Sequence, residues 1–410
     1  MNPDFQRMMS RAALQTRGGD LMGATRSIQN ALAGAADTTA EAEAEAEANT
    51  DARRGEVIDV EARVIDDRFV EIGVAEGLRS PPVAREVLDA RDVHDRQGVP
   101  DVRRPHAGHE APPARETRAP VMDEERFLAG NYAHGRVSID YKLYVPPGDP
   151  SVPRPLLLML HGCTQNPDDF AAGTRMNEVA KRHGWLVLYP EQSTKVNPQG
   201  CWNWFKTSHQ ERGRGEPALL AALTHHVMAG HEVDARRVHV AGLSAGGAMA
   251  AVLGQTYPEL FASVGVHSGL PCGAVASAPE ALAMMRTGQE TRNTARPAAP
   301  PPQAIPTIVF HGTRDMTVHP LNGEHVYADA TAGLTTTDRV EHGREGGRAY
   351  TRKTSVATDG RTLAELWLID GAGHAWSGGD RRGSHADWQG PDAAGQMICF
   401  FSAHPRAGDA

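Results

Sequence analysis

The chain has 410 residues, of which 42 are Lys or Arg and 51 are Asp or Glu, so its formal net charge is −9 at pH 7. Proteins that bind nucleic acid through a basic face normally have the opposite charge balance, and composition therefore argues against a nucleic-acid partner. No uninterrupted apolar run approaches the roughly 20 residues that a transmembrane helix needs. The presence of 4 cysteines in so long a chain excludes a disulfide-dense miniature fold, and none of them form the CxxC pairs of zinc or redox sites.

The first 122 residues have the composition of an appendage. Residues 1–35 contain two short amphipathic patterns separated by Gly18-Gly19, and these predict a helical segment. Residues 36–122 combine the run AEAEAEAEA, a strand-like EVIDVEARVID and a stretch rich in Arg, Asp and Pro, which predicts a disordered linker. The N-terminus carries Arg, Asp and Gln where a signal peptide needs an apolar stretch, so we expect a cytoplasmic location.

Residues 123–404 have the pattern of a packed α/β domain. Alternating strands around His134-Gly135 predict a hairpin, and the apolar run PLLLMLHG predicts a strand buried on both faces of a sheet. Single strands are predicted at 185–191, 237–244, 261–269 and 307–315, and a pair of strands within 348–369. Helices are predicted at 168–183, 216–229 and 245–257. A further helix follows the strand at 307–315 and ends at about residue 330, and a last helix begins at residue 392. This alternation predicts a mainly parallel sheet with helices on both faces, whose chemistry lies beyond the carboxyl ends of the strands.

A GxSxG motif, Gly-Leu-Ser-Ala-Gly at 242–246, lies between a predicted strand and a predicted helix. In that context the motif is typical of a nucleophile elbow, a strained turn that holds a serine hydroxyl at the N-terminus of a helix. Gly242 and Gly246 leave the room that the turn needs. We predict that Ser244 is a nucleophile, and the alternative is an ordinary tight turn that begins a helix.

A serine nucleophile needs a histidine base that an acid orients, and in this architecture the acid precedes the histidine along the chain. His374 in GAGHAWSGG is the predicted base because it lies on a glycine-rich loop after a strand. Asp315 in HGTRDMTVHP is the predicted acid. Asp370 is its rival, although it lies so close to His374 along the chain that the side-chain geometry is harder. The competing histidines, which fit packing or pocket positions better, are His267, His311 and His319.

The negative charge that develops on an attacked ester carbonyl needs two preorganised donors. We predict the backbone N–H of Ala245, which follows the serine, and that of Cys163 on the loop HGCTQNPDDF after the first buried strand. Side chains near these loops are candidates for lining an acyl pocket or contacting a polymer surface, and the alternative is packing under a long loop. The candidate substrate contacts are Trp202, Trp204, His161 and Trp376. No ligand cluster accompanies His161, so we expect neither a metal nor a cofactor.

Seven motifs occur in order between about residues 125 and 402: HGCTQNPDDFAAGTRMNEVAKRHGWLVLYPEQ, GCWNWF, RGRGEP, VAGLSAGGAMA, VGVHSGLPCG, FHGTRDMTVHP and GAGHAWSGG. Together they closely resemble the polyhydroxybutyrate depolymerase family of α/β-hydrolase esterases. The resemblance implies the α/β-hydrolase fold, a triad of Ser244, Asp315 and His374, and hydrolysis of short-chain poly(3-hydroxyalkanoate) esters. The implied partner is a polyester or oligoester substrate.

The resemblance leaves the substrate open, because relatives in the wider group cleave feruloyl or acetyl esters on plant polysaccharides. An alternative of another class is a granule-binding protein with a degenerate hydrolase scaffold. In either case the N-terminal extension is a candidate for docking on a polymer granule surface. Secreted family members have a signal peptide, so an extracellular location is the alternative to a cytoplasmic one.

Two loop features also stay open. Cys163 and Cys201 lie on loops at the same sheet edge, so they are candidates for a disulfide in an oxidising compartment and for free thiols in the cytosol. The loop Ala274–Gln303 contains the helical pattern PEALAMMR, which either caps an apolar cleft as a lid or packs on the domain.

Overall fold

The computed structural model describes residues 123–289 and 305–407. The strands are β1 (Arg126–His134), β2 (Val137–Val145), β3 (Arg154–Leu160), β4 (Leu186–Pro190), β5 (Val233–Leu243), β6 (Val264–His267), β7 (Thr307–Gly312), β8 (Thr336–Glu345), β9 (Arg348–Ala357), β10 (Thr362–Ile369), β11 (Trp376–Ser377) and β12 (Ala386–Asp387). The α-helices are α1 (Pro167–Thr174), α2 (Met176–His183), α3 (Gly215–Gly230), α4 (Ala245–Thr256), α5 (Ala278–Thr287), α6 (Leu321–Thr331) and α7 (Ala393–Ala403). The predicted segments 1–35 and 36–122 lie outside the described residues.

Ten of the described strands form one twisted sheet in the order β1-β2-β4-β3-β5-β6-β7-β10-β9-β8. The six strands from β4 to β10 in this order pair in parallel. The hairpins at the two ends of the sheet add antiparallel pairs. This topology, with helices on both faces, confirms the α/β-hydrolase fold that the sequence predicts.

The order of strands places a switch point beside β3. Strand β3 pairs with β4 on one side and with β5 on the other. The connection from β3 to β4 therefore runs to one side of β3, and the connection from β4 to β5 returns to the other side. Crevices open at such points beyond the carboxyl ends of the strands. The loops that follow β3 and β5 therefore meet at one edge of the sheet.

Strand β3 separates two buried cores, one on each face of the sheet. Leu156, Leu158 and Leu160 pack into the core that contains side chains of α3 and α4. Leu157 and Met159 point the other way, into the core that contains side chains of α2 and α7. Burial on both faces explains why this strand is an unbroken apolar run and not an alternating one.

The structure differs from the sequence prediction in three places. The single helix expected over 168–183 is two helices, because Arg175 adopts the left-handed region with φ of 58°. The strand pair expected within 348–369 is part of a three-stranded group, since β8 precedes it. Strand β8 has the sequence TTDRVEHGRE and is mostly exposed at the sheet edge, so it lacks the apolar alternation that marks a strand. The short strands β11 and β12 were also not predicted.

Helix α5 corresponds to the helical pattern in the candidate lid. Its side chains of Met284 and Met285 are buried, and the backbone carbonyl of Met285 accepts a hydrogen bond from the N–H of His319 at 2.7 Å. The carbonyl of Met284 accepts from Asn322 Nδ2 at 3.0 Å. The helix therefore packs on the domain, whereas residues 290–304 lie outside the described residues. Across the described ranges, no helix combines the length and apolarity needed to span a bilayer.

Candidate active site

Ser244 occupies a strained turn between β5 and α4. Its backbone has φ of 58° and ψ of −120°, a conformation that costs about 1–3 kcal/mol for a residue with a side chain. Its N–H donates to the carbonyl of His267 at 2.9 Å, and its carbonyl accepts from the N–H of Ala248 at 2.9 Å. A Cβ atom on Gly246 would lie 2.6 Å from the carbonyl oxygen of His161, so the turn requires glycine there. The predicted elbow geometry is present.

His374 and Asp315 are joined by a short hydrogen bond. His374 Nδ1 donates to Asp315 Oδ2 at 2.7 Å. The other carboxylate oxygen, Oδ1, accepts from the backbone N–H groups of Thr317 at 2.9 Å and Val318 at 2.8 Å. The Asp315 side chain is fully buried, whereas that of His374 is 11% exposed. Only the histidine reaches the surface of the site.

The electrostatics of this pair fix the orientation of the imidazole. Burial raises the pKa of Asp315, but hydrogen bonds from His311 and His374 outweigh it and hold that pKa well below its usual range. Asp315 is therefore a carboxylate near neutral pH. Because Nδ1 of His374 carries the proton that Asp315 accepts, Nε2 is the nitrogen left to take a proton from another group.

The rival groups have other partners. Asp370 Oδ1 accepts from the hydroxyl of Thr313 at 3.4 Å at an exposed position. Each of the three competing histidines contacts a backbone group: His267 Nε2 accepts from the N–H of Ser377 at 2.9 Å, His311 Nε2 donates to the carbonyl of Val318 at 2.8 Å, and His319 Nδ1 accepts from the N–H of Leu321 at 3.3 Å. His311 Nε2 also lies 3.5 Å from Asp315 Oδ2, so His311 is a neighbour of the acid.

His267 lies where the elements of the site converge. It ends β6, between β5 and β7, and its carbonyl holds the backbone of Ser244. Burial lowers the pKa of its imidazole to about 3, and the nearby charges of His311 and His374 lower it as well. His267 is thus a neutral packing residue that accepts a hydrogen bond from the N–H of Ser244 at its carbonyl and one from the N–H of Ser377 at Nε2.

The two predicted oxyanion donors follow neighbouring strands. Ala245 is the first residue of α4, and the first N–H groups of a helix have no partner within it. The loop after β3 approaches the serine closely, since a Cβ on Gly162 would lie 3.6 Å from Cβ of Ser244. The amides on either side of Cys163 are already used: Gly162 N–H donates to Gln165 Oε1 at 2.9 Å and Thr164 N–H to the carbonyl of Gln199 at 2.7 Å.

Cys163 and Cys201 form a disulfide in the structure. The bond ties the loop after β3 to the loop after β4. Glu216, at the start of α3, hydrogen-bonds to the loop after β4. Its carboxylate accepts from Asn203 N–H at 2.7 Å, Asn203 Nδ2 at 2.6 Å and Gln192 Nε2 at 2.5 Å. Gln192 Nε2 also donates to the carbonyl of Cys201 at 3.0 Å. Sequence reasoning missed this buried network, although Glu216 lies within the RGRGEP motif.

The expectation that these candidate side chains are exposed is wrong for the described structure. The side chains at all four candidate positions are buried: Trp202 (0% exposed), Trp204 (4%), His161 (1%) and Trp376 (1%). Trp202 Nε1 donates to the carbonyl of His161 at 3.0 Å, and Trp376 stacks on His267 with ring centroids 5.1 Å apart. The alternative interpretation, packing under long loops, describes them.

His161 supports the loop after β3 through hydrogen bonds to backbone groups. Its Nδ1 donates to the carbonyl of Gly162 at 2.7 Å, and its Nε2 accepts from the N–H of Gln192 at 3.1 Å. Burial lowers the pKa of His161 to about 4, so it is neutral near pH 7. Both ring nitrogens are used by backbone groups. Within residues 123–289 and 305–407, no group of three or more His, Cys, Asp or Glu side chains is arranged to hold a metal ion.

The fold and the site together place the domain among the α/β-hydrolases. An elbow serine follows β5, and a paired aspartate and histidine follow β7 and β10 in the chain order of that class. Residues 139–340 match the family model described as Esterase PHB depolymerase. This part of the chain belongs to that esterase family.

Three relatives are similar to parts of this chain. Poly(3-hydroxyalkanoate) depolymerase C of Paucimonas lemoignei is 31% identical over 247 residues, which cover 56% of this chain and 57% of that protein. Poly(3-hydroxybutyrate) depolymerase of Ralstonia pickettii is 35% identical over 141 residues, 32% of this chain and 29% of that protein. Feruloyl esterase B of Neurospora crassa is 28% identical over 204 residues, 46% of this chain and 68% of that protein. The chain thus spans less than two thirds of either depolymerase.

Proposed function

We propose that the protein is a serine esterase that hydrolyses poly(3-hydroxybutyrate) or short-chain 3-hydroxyalkanoate oligomer esters. The observation that carries the proposal is the 2.7 Å hydrogen bond between His374 Nδ1 and Asp315 Oδ2, at the same sheet edge as the strained Ser244. The substrate class is supported by the family and by the names of the two depolymerase relatives.

The proposed reaction proceeds in two acyl-transfer steps. His374 Nε2 takes the proton of Ser244 Oγ while Oγ attacks the ester carbonyl carbon. The backbone N–H groups of Cys163 and Ala245 stabilise the resulting oxyanion, each contributing on the order of 100- to 1,000-fold. Collapse of the tetrahedral intermediate breaks the bond to the alcohol, which takes the proton from His374. His374 then deprotonates a water molecule, which attacks the carbonyl carbon of the acyl-enzyme. Collapse of this second intermediate breaks the bond to Ser244 Oγ, which takes the proton back from His374, and the hydroxyacid is released. No cofactor takes part.

The test is hydrolysis of a matched panel by purified protein: p-nitrophenyl butyrate, a 3-hydroxybutyrate oligomer, amorphous polyhydroxybutyrate and methyl ferulate. Each substrate is run beside Ser244→Ala, which should lower the rate on the order of 10,000-fold or more while folding is kept. Release of 3-hydroxybutyrate that disappears in Ser244→Ala supports the proposal. Equal rates for wild type and Ser244→Ala on every ester would contradict it.

A carbohydrate esterase of the feruloyl or acetylxylan type is the second candidate, and the feruloyl esterase relative favours it. The mechanism and the triad would be unchanged, because both substrates are carboxylic esters. A preference for methyl ferulate over the hydroxybutyrate oligomer in the same panel would transfer the protein to this class.

Granule binding by a degenerate scaffold is the candidate from another class. It predicts association with polymer granules and no Ser244-dependent turnover. Independently of turnover, we propose that residues 1–122 dock the enzyme on a polymer surface. Removing residues 1–120 should then spare hydrolysis of p-nitrophenyl butyrate and reduce sedimentation with granules. Unchanged sedimentation would reduce the segment to a tether.

The location of the protein is a separate proposal. The Cys163–Cys201 disulfide favours an extracellular location over the cytoplasm, because disulfides persist in oxidising compartments. Alkylation of thiols in freshly lysed native cells distinguishes them. Cys163 and Cys201 that react before reduction support the cytoplasm, and cysteines that react only after reduction support the extracellular alternative.

A further inference from the structure

A buried glutamine connects two loops of the site. Gln165 Oε1 accepts a hydrogen bond from the N–H of Gly162, the residue before Cys163, at 2.9 Å. Its Nε2 donates to Asp169 Oδ2 at 2.9 Å and to the carbonyl of Ser384 at 3.2 Å. One side-chain amide therefore joins the loop after β3 to a segment 219 residues later in the chain.

Asp169, on α1, fixes that later segment. Its Oδ1 accepts from the N–H of Ser384 at 2.7 Å, and its Oδ2 accepts from the Ser384 hydroxyl at 2.6 Å. Burial raises the pKa of Asp169, but hydrogen bonds from Ser384 and Gln165 outweigh it and lower that pKa. The carboxylate is thus ionised near neutral pH, and hydrogen bonds to an ionised acceptor are the strong ones.

The segment held by Asp169 contacts the loop of the proposed base. His385 follows Ser384, and its carbonyl accepts from the N–H of Trp376, two residues after His374, at 2.7 Å. The imidazole of His385 lies edge-on to that of His374, with ring centroids 6.5 Å apart. The backbone of His385 has φ of 51°, in the left-handed region that residues with a side chain seldom adopt. The contacts of this segment with Asp169 and with the loop of His374 therefore hold the backbone in this conformation.

We propose that Gln165 and Asp169 are positioning residues that hold the N–H of Cys163 and the imidazole of His374 in place around Ser244. The inference rests on the proposed function and deepens it. Neither side chain touches the reacting atoms; each acts through Gly162 on one side and through Ser384 and His385 on the other. A displacement of about 1 Å in such a group lowers a rate by about 100-fold.

The test compares Asp169→Asn with Asp168→Asn. Asp168 is the adjacent residue on α1 and forms an exposed pair with Lys142. In Asp169→Asn, the new NH₂ faces the donors of Ser384 and Gln165. With p-nitrophenyl butyrate we expect kcat to fall about 10- to 100-fold, with KM within about threefold of wild type. Asp168→Asn should keep both constants within about twofold, as expected for an exposed pair.

The inhibition constant of butylboronic acid distinguishes a positioning role from a merely structural one, because a merely structural role would leave it unchanged. Its tetrahedral adduct with Ser244 places an oxygen against the oxyanion donors, so its inhibition constant should rise in proportion to the loss of kcat. Ser384→Ala is the milder variant, because it removes one donor to Asp169 and keeps the backbone one. It should show the same pattern with a smaller, about two- to tenfold, effect.

The outcomes separate this inference from the proposed function. Ser244-dependent hydrolysis by the wild type, with unchanged kcat and inhibition constant in folded Asp169→Asn and Ser384→Ala, overturns the positioning role alone. A lower melting temperature with unchanged kcat also overturns it. A wild type without Ser244-dependent hydrolysis overturns the proposed function, and this inference with it.

Discussion

Asp315 Oδ2, and not a carboxylate oxygen of Asp370, accepts the Nδ1 proton of His374, at 2.7 Å. This relationship separates two acids that sequence position alone leaves in competition. Asparagine has the same shape as aspartate, but its neutral amide does not stabilise the imidazole tautomer that carries the proton on Nδ1. Asp315→Asn should therefore leave His374 in the wrong tautomer. We expect kcat for p-nitrophenyl butyrate to fall by about 10,000-fold, as for other triads that lose the correct tautomer.

Asp370→Asn is the matched control for that substitution. Its carboxylate accepts a long, 3.4 Å hydrogen bond from Thr313 at an exposed position, so we expect kcat within about threefold of wild type. A large loss in Asp370→Asn together with an active Asp315→Asn would reverse the assignment of the acid.

The disulfide should stabilise the fold and the oxyanion loop together. It closes a loop with a sequence separation of 38, for which the chain-entropy model gives about 3–4 kcal/mol of stability. Cys201→Ser should lower the free energy of unfolding by about this amount. It should also lower kcat, because Cys163 loses its anchor to the loop after β4. Urea unfolding measured with and without a reducing agent provides the check.

Cys399→Ser is the control for the disulfide, since Cys399 is exposed and lies on α7. Reducing agent should destabilise the wild type and Cys399→Ser equally and leave Cys201→Ser unchanged. Destabilisation of Cys201→Ser by the reducing agent would contradict the prediction.

The buried carboxyl group of Glu216 should stabilise the loop after β4. Three hydrogen bonds converge on its carboxylate from Gln192 and Asn203. Glu216→Gln turns one acceptor into a donor that faces other donors, which should cost about 1–3 kcal/mol of unfolding free energy. Glu211→Gln, which breaks only an exposed pair with Arg214, should cost less than about 1 kcal/mol. Equal losses in the two variants, measured by urea unfolding, would show that burial of Glu216 is unimportant.

Local pattern was enough to predict the elements that carry the site. The GxSxG turn, the loop of Asp315 and the loop of His374 each follow a strand whose apolar run is visible in sequence. Because the carboxyl ends of parallel strands share an edge of the sheet, these loops were expected to meet there. The predicted Ser244 turn and the His374–Asp315 contact follow from this local reasoning.

Sequence could not show which side chains near the site are buried. Trp202 and Trp376 were candidates for substrate contact because loops are usually exposed, yet both pack beneath the loops that contain them. The bridge from Gln165 to Ser384 spans 219 residues and depends on how two loops meet in space. Strand β8 was missed because an exposed edge strand of polar residues has no apolar alternation to detect.

Three buried histidines should make the fold sensitive to mild acid. Burial lowers the pKa of His161 to about 4 and of His239 and His267 to about 3, from an ordinary value of 6.5. Between pH 6.5 and about 4, the unfolded chain binds these protons and the native protein does not. The free energy of unfolding therefore falls as pH is lowered through this window, by up to about 1.4 kcal/mol per pH unit for each histidine.

The carboxylate of Asp315 affects the free energy of unfolding at a lower pH than the histidines do. Its pKa in the fold lies below the ordinary value of 3.8, so the stability that its ionised form contributes is present above that value. This contribution is lost as pH falls below about 4, after the histidines have begun to destabilise the fold. Acid unfolding should therefore begin well above the pH at which carboxylates usually protonate.

His239→Asn tests the histidine contribution away from the active site. His239 Nδ1 lies 2.7 Å from Ser263 Oγ in the core, and an asparagine offers that hydroxyl a partner without titrating. Urea unfolding at pH 7, 5.5 and 4.5 should show a pH dependence reduced by up to about 1.4 kcal/mol per pH unit in the variant. His183→Asn, at an exposed position, should keep the dependence of the wild type. Parallel stability curves for His239→Asn and wild type would mean that His239 is not buried in its neutral form.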